Sequence, residues 1–383
     1  MNLKENFKKE ECCGCTACCS ICPNGAIKMR TDEKGFLYPS IDEAKCIDCG
    51  LCIKVCDFKK FVATEETPDC YAVKHKDEEE IKTSRSGAVF MALCDYVLKK
   101  QGVVFGCVQT DKNTIIHKVA STKQQVNSFK GSKYVQSDLL DTFKECENFL
   151  KQGVIVLFSG TGCQVHGLIS FLECAKVDTS NLITCDIVCH GVPSPQLWRD
   201  YVAEFERRNN DGIAKVNFRD KEKCGWRAHF ESFLMVSGTT ITTTIWTNAF
   251  YSHCMFRESC YNCKYTTPNR KTDFTVADYW GIEKNVPEFD DNKGVSLVLV
   301  RGEKAKKIFA EIQDSLRVVQ TKLNNSLQPQ LVHPIEKGKK YNKFWKDYLK
   351  NKSKAIKKYF FPSKIKQILI KFKQKIIKIL RSS

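Results

Sequence analysis

No stretch of the 383 residues stays apolar for the roughly 18 positions that a membrane-spanning helix needs, so no such helix is expected. The opening Met1-Asn2-Leu3-Lys4-Glu5-Asn6 lacks the apolar core of a signal peptide, which points to the cytoplasm. Acidic residues are almost missing from the last segment. Between Lys337 and Ser383 a single acid, Asp347, stands against 17 Lys and Arg. The other residues carry 44 basic and 43 acidic side chains, so the net charge of +17 belongs to the tail. The body has no electrostatic footprint for nucleic acid.

What the sequence has in excess is cysteine, 22 in all. In a small secreted chain these would form disulfides; in a long cytoplasmic one they indicate metal ligation. Cys12, Cys15, Cys18 and Cys22 follow Cys-x-x-Cys-x-x-Cys-x-x-x-Cys with Pro23 next, and Cys46, Cys49, Cys52 and Cys56 repeat that spacing. Such a tight triplet aims three thiolates at one cubane, and the fourth comes from the other motif. The expected sets are therefore Cys12, Cys15, Cys18 with Cys56, and Cys46, Cys49, Cys52 with Cys22. Zinc modules favour two separated Cys-x-x-Cys pairs instead. Cys13 and Cys19 are off-register, and Asp57 stands where a second Pro is usual. Residues 1–62 thus read as an α+β ferredoxin domain with two [4Fe–4S] clusters.

Residues 70–335 alternate strand and helix patterns. Gly102–Val108, Val154–Phe158 and Ile183–Val188 are β-branched runs, and Thr239–Thr247 reads as a further strand. The second run enters Ser159-Gly160-Thr161-Gly162, and Cys163–Ala175 follows at helical spacing. Strand, Gly-rich turn and helix make an α/β unit whose turn lies where such folds place ligands. By itself the turn reads as an ordinary strand–helix connection.

Several segments resemble the coenzyme F420 hydrogenase/dehydrogenase beta-subunit family, in that family's order. They are Ser84-Arg85-Ser86-Gly87-Ala88, Gly131-Ser132-Lys133-Tyr134-Val135-Gln136-Ser137, Ser159–Gln164, Asp186–Ser194, Phe218–Lys221, and Cys260-Tyr261-Asn262-Cys263 continuing to Gly281. The resemblance implies an α/β flavin-binding domain that exchanges electrons between FAD and iron–sulfur clusters. It implies cofactor contacts at Ser84, Ser86, Gly87, Ser132, Lys133, Tyr134, Gly160, Thr161, Gly162, Gln164, His190 and Gly191. Gly162 replaces the family's usual Pro, and Ala88 its usual second Gly. The catalytic residue is unknown; Cys189, His190 and Lys133 are the candidates. Resembling proteins also accompany bacterial surface-polysaccharide assembly, so the second substrate is either an F420-like deazaflavin or a polysaccharide or lipid-linked intermediate. The alternative is a non-catalytic electron-carrier subunit serving a separate enzyme.

Cys254, Cys260 and Cys263 lie close enough in sequence to share a metal, and Cys189 or Cys163 would complete a third [4Fe–4S] cluster. The other reading is a set of reduced, buried thiols. Residues 336–383 read as a basic tail, with Ile365, Ile368, Leu369, Phe372, Ile376, Ile379 and Leu380 at helical spacing among lysines. Such a helix suits the anionic inner face of the cytoplasmic membrane. Docking on a partner or on the body is the competing expectation. Expected partners are a redox protein or a small electron donor or acceptor.

Overall fold

In the computed structural model, which describes residues 7–361 (side chains at 223 and 224 excepted), the two cysteine motifs take the same local shape. Each triplet turns through two left-handed residues, Gly14 and Thr16 in the first, Asp48 and Gly50 in the second. Each then enters a short helix, Ala17–Ser20 or Leu51–Lys54. Strands β1 (Ile27–Thr31) and β2 (Leu37–Ile41) pair antiparallel between them.

The body contributes β3 (Asp69–His75), β4 (Val103–Gln109), β5 (Ile115–Ala120), β6 (Val156–Thr161), β7 (Leu182–Ile187), β8 (Ile213–Asn217), β9 (Glu231–Met235), β10 (Thr240–Thr243), β11 (Phe274–Asp278), β12 (Ser296–Val300) and β13 (Leu316–Thr321). Eight of them form one sheet in the order β13-β3-β12-β11-β7-β6-β4-β5. Its centre, β4-β6-β7-β11, is parallel. These strands are rich in β-branched and aliphatic residues because both faces are covered. Val104, Leu157 and Ile183 pack beneath helix Val89–Lys99. Their neighbours Phe105 and Phe158 face Phe143, Leu168 and Phe171 on the opposite side. The carboxyl ends of the four parallel strands share one edge, where α/β sheets bind ligands.

Strands β8–β10 form a separate antiparallel sheet. The strand expected to reach Thr247 stops at Thr243, and Ile245–Phe250 is helical. The cause is Glu231, whose buried carboxylate accepts from Trp246 N at 2.9 Å, Thr247 N at 3.2 Å and Thr247 Oγ1 at 2.5 Å. An acid at a helix start satisfies N–H groups that otherwise lack partners.

The last boundary also moves. Helices Tyr341–Lys350 and Lys352–Phe360 share a core with Trp198, Tyr201, Phe233 and Trp246, so the body's packing continues through residue 360. The amphipathic segment expected from Lys364 to Leu380 lies outside the described residues. Among the described residues no helix is long and apolar enough to cross a membrane.

Candidate functional site

The eight ferredoxin cysteines border two cavities. Cys12, Cys15, Cys18 and Cys56 line one; Cys22, Cys46, Cys49 and Cys52 line the other, with Cys52 also at the edge of the first. Three thiols of one motif thus meet the fourth of its partner, which fits a cubane bridging the crossover. Among the described residues no three His, Cys, Asp or Glu side chains close on a single ion. Asp57, the departure from Pro, accepts a hydrogen bond from Tyr265 Oη at 2.9 Å and so ties the module to the body.

The first cavity is the one that faces the body. Cys15 lies against Gly167, and Cys15 and Cys56 pack with Cys13, Cys163, Cys263 and Tyr265. Beyond them the structure brings Cys163, Cys189, Cys260 and Cys263 together, each half-buried and within electrostatic range of others of the set. Cys254 is not among them. Its Sγ donates to Ser252 O at 3.3 Å and borders Gly338, so the grouping by sequence proximity is corrected: both loop cysteines join the Cys260–Cys263 pair.

Cys189 also lines a cleft of about 1740 Å³, open mouth included, at the carboxyl ends of the parallel strands. Ser84, Ser86, Ser132, Lys133, Tyr134, Gly160, Thr161, Gln164, His190 and Gly191 line it as well. Two expected contacts do not. Gly87 is pressed into the sheet, where a Cβ would stand 2.1 Å from Val73 O, and Gly162 faces Tyr265 and Asp186.

Other residues reach the cleft already engaged. Lys133 Nζ donates to the carbonyls of Ser128, Phe129 and Lys130 at 3.2, 2.9 and 3.0 Å, and burial lowers its pKa. Thr161 and Gln164 form a capping box at the start of helix Gly162–Ala175, with Gln164 Oε1 accepting from Thr161 N at 3.0 Å. Gln164 Nε2 donates to Ser137 Oγ at 3.0 Å. Two backbone donors of the Thr161–Gln164 turn are therefore used by the cap itself. Ala88, in the family's Gly position, takes φ of 64° at the start of helix Val89–Lys99.

The free hydrogen-bonding capacity lies elsewhere. Arg85 Nε and Nη1, Arg219 Nε, Ser84 Oγ and His117 Nδ1 are buried and have no hydrogen-bond partner within the protein. All four side chains border the cleft. Arg85 Nη2 donates to Trp226 O at 2.7 Å; Arg219 Nη1 donates to Asp278 Oδ2 at 3.1 Å and Tyr134 Oη at 3.2 Å. Burial pushes His117 down to about 4, and burial with the adjacent His253 pushes His190 to about 4, so both rings are neutral near pH 7. His190 Nε2 is 2.8 Å from His253 Nε2. Two guanidiniums, sharing the Asp278 carboxylate at 3.7 Å from Arg85 Nε and 3.1 Å from Arg219 Nη1, keep one positive charge in excess in this wall, which suits an anionic ligand. The unpartnered buried donors along the cleft fit an anionic group.

Residues 11–60 match the family model of the 4Fe-4S dicluster domain. Residues 155–325 match that of coenzyme F420 hydrogenase/dehydrogenase, in the C-terminal part of its beta subunit. Residues 155–325 thus carry the C-terminal part of a beta subunit of that kind, behind a dicluster ferredoxin domain. The chain is an iron–sulfur redox protein related to the F420 hydrogenase beta subunit. A chain of the F420-reducing [NiFe] hydrogenase complex from Methanosarcina barkeri is 16% identical, with TM-score 0.48, over 78% of this chain and 94% of that one. An uncharacterized protein in the rpl9-rpl11 intergenic region of Porphyra purpurea is 36% identical over 70 residues, 17% of this chain and 91% of that protein.

Of the residues lining the cleft, sequence reasoning passed over Arg85, Arg219, His117 and Asp278. Arg85, Arg219 and Asp278 sit inside the motif segments, and only Arg85 gives a local signal, a charge in the run Ser84-Arg85-Ser86-Gly87. His117, on β5, gives no such signal.

Proposed function

We propose that this chain is an iron–sulfur flavoprotein oxidoreductase that passes electrons between two [4Fe–4S] clusters and FAD to reduce or oxidise a second substrate. The observation that carries the reading is the location of Cys163, Cys189, Cys260 and Cys263, between the Cys15 side of the ferredoxin module and the cleft. These four thiols would hold a third [4Fe–4S] cluster and close the gap between module and cleft. FAD, when bound, supplies the exchange between one-electron and two-electron chemistry. Arg85 and Arg219 would offer their free N–H groups to its anionic part. Lys133 shapes the loop by holding three carbonyls and does not reach for phosphate.

The family name supports a deazaflavin of the F420 type as second substrate. The basic tail supports a polysaccharide or lipid-linked intermediate at the inner face of the cytoplasmic membrane. Kinship with a beta subunit implies a redox partner protein.

The anaerobically reconstituted full chain tests this. Its visible spectrum should show flavin peaks over a broad iron–sulfur shoulder, with FAD equimolar to chain and iron for three cubanes. Cys263→Ser should remove one cubane's iron and leave FAD bound. A shoulder without flavin would instead identify an electron carrier.

A further inference from the structure

Arg257 stands where the ferredoxin module meets the body, three residues before Cys260, and no part of it reaches solvent. Its Nε donates to Cys12 O at 2.7 Å. Its Nη2 donates to Leu37 O at 2.9 Å and approaches Cys12 Sγ at 3.6 Å, while Nη1 donates to Gln136 Oε1 at 3.2 Å. The guanidinium carbon lies 4.0 Å from the centre of the Tyr38 ring. On its other side is Gly14, whose φ is 73° and where a Cβ would fall 3.0 Å from Cζ. The hydrogen-bond partners are carbonyls, an amide and a thiol; none is a carboxylate.

A buried cation costs several kcal/mol unless an anion answers it. Here the anion would be the thiolate-ligated cubane at Cys12, one of the four cysteines around the inner cavity. A thiolate-ligated cubane is negatively charged and becomes more so on reduction. Positive charge and hydrogen bonds at its sulfurs therefore favour the reduced state and raise the potential. The outer cavity has a different setting. Cys49 and Ile47 are exposed there, and its lining lysine, Lys45, is on the surface, where salt screens it.

We propose that Arg257 holds the inner cluster, on Cys12, Cys15, Cys18 and Cys56, at a higher potential than the outer one, on Cys22, Cys46, Cys49 and Cys52. An electron that arrives at the exposed cluster is then drawn inward. One electron leaves the reduced outer cluster and enters the oxidised inner one; no bond breaks and no proton moves. Arg257 is a positioning residue that acts through Cys12. This rests on the dicluster domain and stands whether or not the cleft holds FAD.

The test is an EPR-monitored redox titration of the reconstituted full chain, with Cys49→Ser marking the outer cluster by its altered signal. In the wild type the inner cluster should titrate at the higher potential. Arg257→Gln should shift that potential negative while the outer cluster stays in place and iron content holds. Arg257→Lys, which keeps the charge, should recover most of the shift. Equal or reversed potentials in the wild type overturn the proposal. So does a Gln shift shared by both clusters, or a Lys shift as large as that of Gln. If Arg257→Gln does not retain iron, the wild-type order still decides.

Discussion

Gly167 faces the ferredoxin module across a gap that admits no side chain: a Cβ there would stand 2.7 Å from Cys15 Cβ and 2.8 Å from its Sγ. Helix propensity alone favours Ala over Gly by about 1 kcal/mol. The contact opposes it, because contacts under 3 Å force a shift in a packed interior. Gly167→Ala should therefore lose the inner cluster, with iron down by one cubane on reconstitution and the outer cluster's EPR signal retained. Full iron loading in this variant would show that the contact yields. The ferredoxin cysteines were legible because cubane chemistry imposes a spacing that the sequence displays. Gly167 was not, since no spacing rule links it to Cys15 about 150 residues away. Cys254 shows the converse error: six residues from Cys260, it bonds locally to Ser252 instead.

At the scale of elements, one acid joins three parts of the chain. Glu258, in the turn Glu258–Asn262, accepts from Lys34 Nζ at 2.7 Å, pairs with Lys337 Nζ at 2.9 Å and accepts from Tyr341 Oη. Burial pushes its pKa up, but the bonds from Lys337, Lys34 and Tyr341 outweigh burial and hold it down to about 2. A carboxyl depressed in the folded state stabilises above its unfolded pKa, about 4.3, and loses that contribution as pH falls toward 2. Water reaches part of the site and screens it, so the wild type should exceed Glu258→Gln by about 2 kcal/mol from pH 8 to about 5, with the gap closing below that. Urea midpoints followed by tryptophan fluorescence would read it; a gap unchanged below pH 4 removes the linkage. Strands such as β6 were legible because their own side chains declare burial. The helix at Ile245–Phe250 was not, because its cap comes from Glu231 on another strand. Nor was the attachment of Tyr341–Phe360, whose lysines hid the buried Phe344, Trp345 and Tyr348.

Across the whole molecule the thiol sites form a series: the exposed Cys49 cavity, the Cys15 cavity beside Gly167, the body's four cysteines, and the cleft. The sequence supplied the members of the first two sites, and folding supplied the order. The same packing decides how the tail must be tested. Truncation at Glu336 would strip Phe344, Trp345, Tyr348 and Phe360 from the core and destabilise the body along with removing the tail. Ending the chain at Phe361 preserves that core and removes only the segment with Lys364 to Leu380. If this segment lies on anionic lipid, the full chain should float with phosphatidylglycerol vesicles and not with neutral ones. Binding should weaken as salt rises, at about 1 kcal/mol per lysine near the surface. The chain ending at Phe361 should remain in the soluble fraction throughout. Equal flotation of the two would assign lipid contact to the body; no flotation of either would leave the apolar residues Ile365, Leu369 and Phe372 to a protein partner.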